Sequence, residues 1–206
     1  MKLNWLGRAS MNNAARAAMQ RRVTATLMTR LGGRLEGGRA LEVGCGRGVG
    51  VEILLEDFGA CEVFAFDLDP KMAQRARHRL GSRAGLLGLA VADATAVPVG
   101  DSSFDAVFDF GAIHLIPPWR EALSEVRRVL RPGGKYFFEL VTSRLLRLTY
   151  PVVTRRFRSM PAPRAEEFLA ELERNRIAVR PESVSRPRGA ASGLVGDLVG
   201  VGTAVP

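Results

Sequence analysis

Apolar residues recur every four positions at Ala15, Met19, Val23, Leu27 and Leu31, within a stretch from Asn12 to Leu31 that holds neither proline nor glycine. That period predicts a helix. Arg16 and Arg30 fall close to the stripe, so the face is not cleanly amphipathic, which argues against a helix built to lie in a membrane. Gly32-Gly33 stops the helix and Gly37-Gly38 closes a linker. After Gly38 the pattern changes to short apolar runs separated by helical segments, as in a parallel sheet covered on both faces. Strands are expected near 40–44, 62–67, 86–91, 104–110 and 134–141, and helices near 48–57, 70–80 and 119–131. Pro117-Pro118 precede the last of these helices, and Arg131-Pro132-Gly133-Gly134 ends it with basic charge, proline and glycine. Beyond Val141 an arginine-rich stretch, Arg144 to Arg158, is broken by Pro151 and leads to a helix from Arg164 to Arg174. Ile177 to Ser185 and Leu194 to Thr203 are expected as closing strands, although the glycine- and alanine-rich tail from Gly189 lacks a clear strand-turn-strand pattern. The division that follows is an N-terminal helical segment, 1–38, and an α/β domain, 39–206, with a basic insertion near 142–163.

Composition narrows this picture in three ways. At 206 residues and 47% hydrophobic, the chain is long enough for one well-buried core and short for two. No run approaches the ~20 apolar residues that cross a bilayer, and Met1 to Trp5 shows no leader-like apolar core, so a soluble cytoplasmic protein is expected. Two cysteines, Cys45 and Cys61, match no paired metal spacing, and with only two histidines no metal site is expected. The net charge of +9 is unevenly spread. Residues 1–40 carry eight basic and one acidic residue, 41–140 eleven and fourteen, and 141–206 eleven and six. Basic flanks suit an acidic substrate, an anionic membrane surface touched peripherally, or a phosphate-bearing partner; solvated arginine is the alternative reading.

The first strand runs directly into Glu42-Val43-Gly44-Cys45-Gly46-Arg47-Gly48-Val49-Gly50 and then a helix, at the sheet edge where open α/β folds bind ligands. Glycine there permits a tight turn and close approach of a ligand to the backbone. A dinucleotide fingerprint would need its third glycine at position 49, which is Val49. Cys45, inside the loop, reads either as a small packing residue or as a reactive thiol. The second strand ends in Asp67-Leu68-Asp69-Pro70, with Asp67 placed 23 residues after Gly44 to accept from ribose hydroxyls. Asp69 reads as a helix N-cap before Pro70. The third strand leads into Asp93-Ala94, where Asp93 is either an ordinary turn residue or a ligand contact.

These motifs, together with Ser103 to Phe110 and Glu125 to Lys135, resemble those of class I S-adenosylmethionine-dependent methyltransferases, and the "R-x-L-x-P-G-G" run resembles the methyltransferase type 11 group. The resemblance covers residues 40–141 in order. It implies a Rossmann-like, seven-stranded, mostly parallel sheet of order 3-2-1-4-5-7-6, with helices on both faces. It implies S-adenosylmethionine as cofactor, held by Glu42, Gly44, Cys45, Gly46, Gly48, Asp67, Leu68, Asp93, Ala94 and Phe110. In the family the loop wraps the methionine and ribose portions, the leading acid organises the charged end, and the third-strand acid accepts from the adenine amino group. His114 stands where related enzymes often carry a histidine, either as a base or packed beside the cofactor. Ile116-Pro117-Pro118-Trp119 is similar to the N/D-P-P-Y/F/W motif of nitrogen methylases, but Ile116 lacks the accepting side chain, so helix entry is the better reading. The expected acceptor is a small or lipid-like molecule, with apolar residues of the flanks supplying its lining. RNA or protein methylation, with nucleic acid the less favoured partner, and a non-catalytic cofactor-binding role are the rivals.

Overall fold

A computed structural model describes residues 14–141, 163–186 and 198–206 of the chain. The basic stretch near 142–163 therefore falls almost wholly outside the described residues, as do the first thirteen.

The first helix, α1, has three parts: α-helical Ala14–Met19, a π-helical turn Gln20–Thr24, and α-helical Ala25–Gly32. There follow β1 (Arg39–Val43), α2 (Val49–Glu56), β2 (Glu62–Asp67), α3 (Pro70–Leu80), β3 (Leu86–Val91) and β4 (Phe104–Asp109). A 3-10 turn at Ile113–Leu115 then precedes α4 (Trp119–Val129), β5 (Leu130–Leu140), α5 (Ala165–Arg174), β6 (Ile177–Ser185) and β7 (Leu198–Ala204). One seven-stranded sheet results, in the order β3-β2-β1-β4-β5-β7-β6. The pairs among β1 to β5 are parallel, while β7 pairs antiparallel with both β5 and β6. This is the order that the motifs implied.

Successive residues of β5 show how the sheet serves two cores. Tyr136 and Phe138 join Trp119, Leu123 and Val126 of α4 and Phe168 and Leu172 of α5 on one face. Phe137 joins Met28 of α1, Ile53 and Leu54 of α2, and Ala76 and Leu80 of α3 on the other. The alternation follows from side chains pointing to opposite faces along a strand. On the second face Phe137 stacks on Phe108, with ring centroids 4.3 Å apart and planes at 2°. The Ala25–Gly32 part of α1 packs against β5 and β7; a Cβ on Gly32 would lie 2.4 Å from the Phe137 ring. Among the described residues, no helix is long and apolar enough to cross a membrane.

Two boundaries differ from expectation. The α4 helix ends at Val129, and β5 starts at Leu130, ahead of the Arg131-Pro132-Gly133-Gly134 turn. Partner register jumps from Phe104↔Leu130 to Ala106↔Lys135, so the turn is looped out within the strand. Proline and glycine break the ladder there without ending the pairing. The last strand, expected over 194–203, is described over Leu198–Ala204 and so runs one residue past the expected end.

Candidate active site

The carboxyl ends of β1, β2 and β3 and the segment after β4 open onto one cavity of about 230 Å³, which Arg16, Ala17 and Gln20 of α1 also line. Its floor is the glycine loop. Gly44, Gly46 and Gly48 have φ of 68°, 53° and 86°, the left-handed region that favours glycine. At Gly44 the reason is also steric, since a Cβ would lie 2.6 Å from Ala112 Cβ.

Glu42 is 2% exposed at the end of β1, and its Oε2 has no hydrogen-bond partner. Burial, reinforced by the nearby Asp67 carboxylate, pushes its carboxyl well above the usual range. Gly50, in the first turn of α2, makes the room for it: a Cβ there would stand 1.9 Å from Glu42 Oε1. Asp67, at the end of β2, accepts from the Gly46 N–H at 2.9 Å and from the Asp69 N–H at 2.8 Å, tying β2 to the loop. Burial raises its carboxyl in turn. Asp69 accepts from the Lys71 N–H as the N-cap of α3, and it also lines the cavity. Asp93 accepts from the Thr95 backbone N–H at 3.0 Å and its hydroxyl at 2.9 Å, bonds that hold its carboxyl below the ordinary value. It thus shapes a turn and lines the cavity at once.

Of the residues expected at the cofactor, Glu42, Gly44, Cys45, Gly46, Asp67, Leu68, Asp93, Ala94 and Phe110 share this lining. Gly48 does not. It opens α2, and a Cβ there would meet Leu80 of α3 at 3.0 Å, so its contribution is to seat helix on helix. Cys45 is buried, and burial pushes its thiol up, so it stays protonated and packs. His114 is 1% exposed and stands outside the lining. Neither ring nitrogen has a hydrogen-bond partner, and burial pushes the imidazole down to about 4. Ile116, Pro117 and Pro118 lead into α4, with Pro118 as its N-cap, and also form part of the cavity wall.

Three features were not anticipated. Gly50 is one. The second is Asp109, buried at the end of β4, which accepts from the Ala112 and Ile113 N–H groups and, at 3.2 Å, from the Tyr136 hydroxyl. It pins the post-β4 turn against Gly44, and burial pushes its carboxyl up to about 7. The third is Arg16, which reaches from α1 to the end of β5. Its Nη1 and Nη2 donate to Glu139 at 3.1 and 2.8 Å, and Nη2 donates to the Phe110 carbonyl at 3.1 Å. Glu139 is fully buried beneath it, so the guanidinium is held as a fixed part of the wall.

A glycine cradle at the first strand's end, with acids following at the ends of β1, β2 and β3, defines a nucleoside-cofactor-binding α/β protein. Residues 41–138 match the methyltransferase-domain family. That segment is a class I S-adenosylmethionine-dependent methyltransferase domain, and the cofactor of the family is S-adenosylmethionine. A relative from Mycobacterium ulcerans, a probable phthiotriol/phenolphthiotriol dimycocerosates methyltransferase, is 39% identical over 50% of this chain and 40% of its own length. A fatty-acid O-methyltransferase from Mycolicibacterium smegmatis is 38% identical over 50% of this chain and 37% of its own. The matched part thus spans well under half of these curated relatives. Among solved structures, a methyltransferase from Haloferax volcanii, determined in complex with the Trm112 methyltransferase activator, superposes with a TM-score of 0.76 over 100% of both chains at 18% identity. That likeness is one of fold.

Proposed function

We propose that this chain transfers the methyl group of S-adenosylmethionine to a lipid-like acceptor in the cavity between the glycine loop and α1. The observation that carries the reading is the division of that cavity. One wall is a glycine loop ringed by Glu42, Asp67, Asp69 and Asp93, and the other is largely apolar, with Phe110, Leu115, Ile116 and Pro117 beside α1. The acids suit the donor's hydrogen-bonding groups: as the family resemblance implies, Asp67 would accept from the ribose hydroxyls and Asp93 from the adenine amino group, and the orphaned Glu42 oxygen would hold the cationic end. When bound, the cofactor supplies a methyl group already activated on a sulfonium. The chain's task is to exclude water and hold the acceptor in line, a contribution that reaches ~7 to 11 kcal/mol in well-oriented systems. The two relatives named for lipid and fatty-acid acceptors support the choice of acceptor class.

Incubation with methyl-labelled donor and separated pools of lipid extract, small metabolites, RNA and protein tests this. Label is expected in the lipid extract. Label confined to RNA or protein would replace the acceptor class, and donor binding without transfer to any pool would make the chain a non-catalytic binder.

Glu42 gives the reading a separate, non-catalytic signature. In the free protein burial and the nearby Asp67 carboxylate raise the Glu42 carboxyl. A cationic ligand favours the carboxylate and lowers that pKa, so binding releases a proton and affinity rises with pH toward the free-state value. Calorimetric titrations in two buffers of different ionisation heat, repeated at several pH values, should therefore show proton release at pH values between the bound and the free titration of this carboxyl. Glu42→Gln should show none and bind more weakly. Equal heats in both buffers at every pH for the unmodified protein would remove this role from Glu42.

A further inference from the structure

The α3 helix carries Lys71, Arg75, Arg77 and Arg79 and no acidic residue. Its apolar side, Met72, Ala73, Ala76 and Leu80, is buried, so the cations stand on the outer side. Arg79 is neutralised by a two-point bond to Glu52, and Arg83, just beyond the helix, by Glu56. Lys71 and Arg75, one turn apart, are exposed, and among the described residues no ion pair or side-chain hydrogen bond engages either of them. Beside them runs β3, the edge strand of the sheet, against which α3 packs. Its Leu87 and Val91 are 46% and 53% exposed, two of the three large apolar side chains that stand in solvent among the described residues. Cations and aliphatic side chains thus share one corner of the molecule, and that corner adjoins the cavity. Asp69 and Met72, which bracket Lys71, line it, as do Ala92 and Asp93 directly after Val91.

A charged helix face is ordinarily explained by solvation, and so is a single exposed aliphatic residue. The two together, at the mouth of a cavity, form a surface of mixed chemistry that selects among partners. Single-stranded nucleic acid would use the cations, but its bases stack on aromatic rings, and the exposed apolar residues here are aliphatic. An added strand from another protein would need the free backbone of β3, where Arg77 Nη2 already donates to the Leu89 carbonyl at 3.4 Å. A second copy of this chain would oppose the same cations to themselves. An anionic bilayer meets both demands, with lipid phosphates for the cations and the headgroup boundary for the aliphatic side chains.

We propose that the corner formed by α3 and β3 docks this protein on an anionic lipid bilayer, with Lys71 and Arg75 on headgroup phosphates and Leu87 and Val91 between headgroups. The contact is shallow. The apolar side of α3 stays in the protein core, and the edge backbone of β3 stays at headgroup depth, where water still reaches it. Docking in this way places the mouth of the cavity beside the membrane surface. The surface does not depend on the methyl-transfer reading, but it would deliver a lipid-like acceptor without passage through water.

The test is co-sedimentation of the protein with vesicles of phosphatidylcholine, alone or mixed with phosphatidylglycerol, at low and at high salt. Binding is expected to the anionic vesicles alone, and high salt should abolish it. Each cation at such a surface is worth about fivefold in partition, so Lys71→Gln combined with Arg75→Gln should weaken binding roughly twenty-fivefold. Arg180→Gln combined with Arg186→Gln removes the same charge from exposed positions on and just after β6, at the opposite edge of the sheet, and should weaken it by less than about threefold. Leu87→Ser combined with Val91→Ser should cost about tenfold at unchanged net charge. Thermal melts close to that of the unmodified protein establish that each variant is folded. Equal losses in the two charge pairs would overturn the proposal, because binding would then follow net charge and not this corner. Unmodified protein that stays in solution at low salt would overturn it too, and RNA binding that weakens in Lys71→Gln with Arg75→Gln would then assign the corner to nucleic acid. Transfer of label to detergent-dispersed lipid is read separately, so failure of docking leaves the methyl-transfer reading standing.

Discussion

Gly44→Ala is expected to reduce binding of S-adenosylhomocysteine by about thirtyfold to a thousandfold while the protein still folds. Two penalties combine at this position. The backbone φ of 68° costs a residue with a Cβ roughly 1 kcal/mol or more, and the added methyl would lie 2.6 Å from Ala112 Cβ. Ala112 cannot easily retreat, because Asp109 holds its N–H and that of Ile113. Overpacking of this kind typically costs ~1 to 3 kcal/mol, and a total of ~2 to 4 kcal/mol corresponds to the stated range if the loop escapes by abandoning its cradle conformation. Titration calorimetry measures the affinity, and a thermal melt lowered by only several degrees would show that the fold survives. Affinity equal to that of the unmodified protein would mean that the loop tolerates the methyl group and does not shape the ligand's seat.

The second large effect belongs to Asp67. Asp67→Ala should weaken donor binding roughly tenfold to a hundredfold, the range set by loss of a charged hydrogen-bond partner. Its carboxylate bonds the Gly46 and Asp69 N–H groups, so the alanine variant also releases the loop from β2. Asp67→Asn separates the two contributions, because its amide oxygen can retain one of these backbone bonds while the negative charge is lost. It should fall between the other two proteins. Unchanged affinity in both variants would exclude Asp67 from the donor site.

Much of the fold was legible because its signals are local. The glycine loop lies between a short apolar run and a helix, and each further strand end carries its acid within a few residues of the last apolar position. Tail strands and the Pro132-Gly133 turn were less legible for a physical reason. Pairing with β4 and β7 decides where β5 begins, and a proline-glycine pair that would end an isolated strand is tolerated as a looped-out insertion. The site's unanticipated residues share a different cause. Arg16 meets Glu139 across 123 residues, and Asp109 meets Tyr136 across 27. In the pattern of α1, Arg16 read as a flaw in an amphipathic stripe; in the structure the same residue reaches past the helix edge to the end of β5. Gly50 looked like one more glycine of a rich loop, and only the buried Glu42 side chain beside it explains its size. His114 illustrates the reverse, since a histidine after the fourth strand suggests a base, while the backbone turn carries it into the interior.

The placement of Arg16 separates two kinds of inheritance within one cavity. Residues 41–138 carry the family's shared apparatus, and Arg16, Ala17 and Gln20 lie outside that span. Exchange of the leading helix would then change one wall of the cavity and leave the glycine loop and the acids around it in place. The link across that seam is the ion pair from Arg16 to Glu139 near the end of β5, so a transplanted helix would have to bring a cation to the same carboxylate or leave it stranded in the interior.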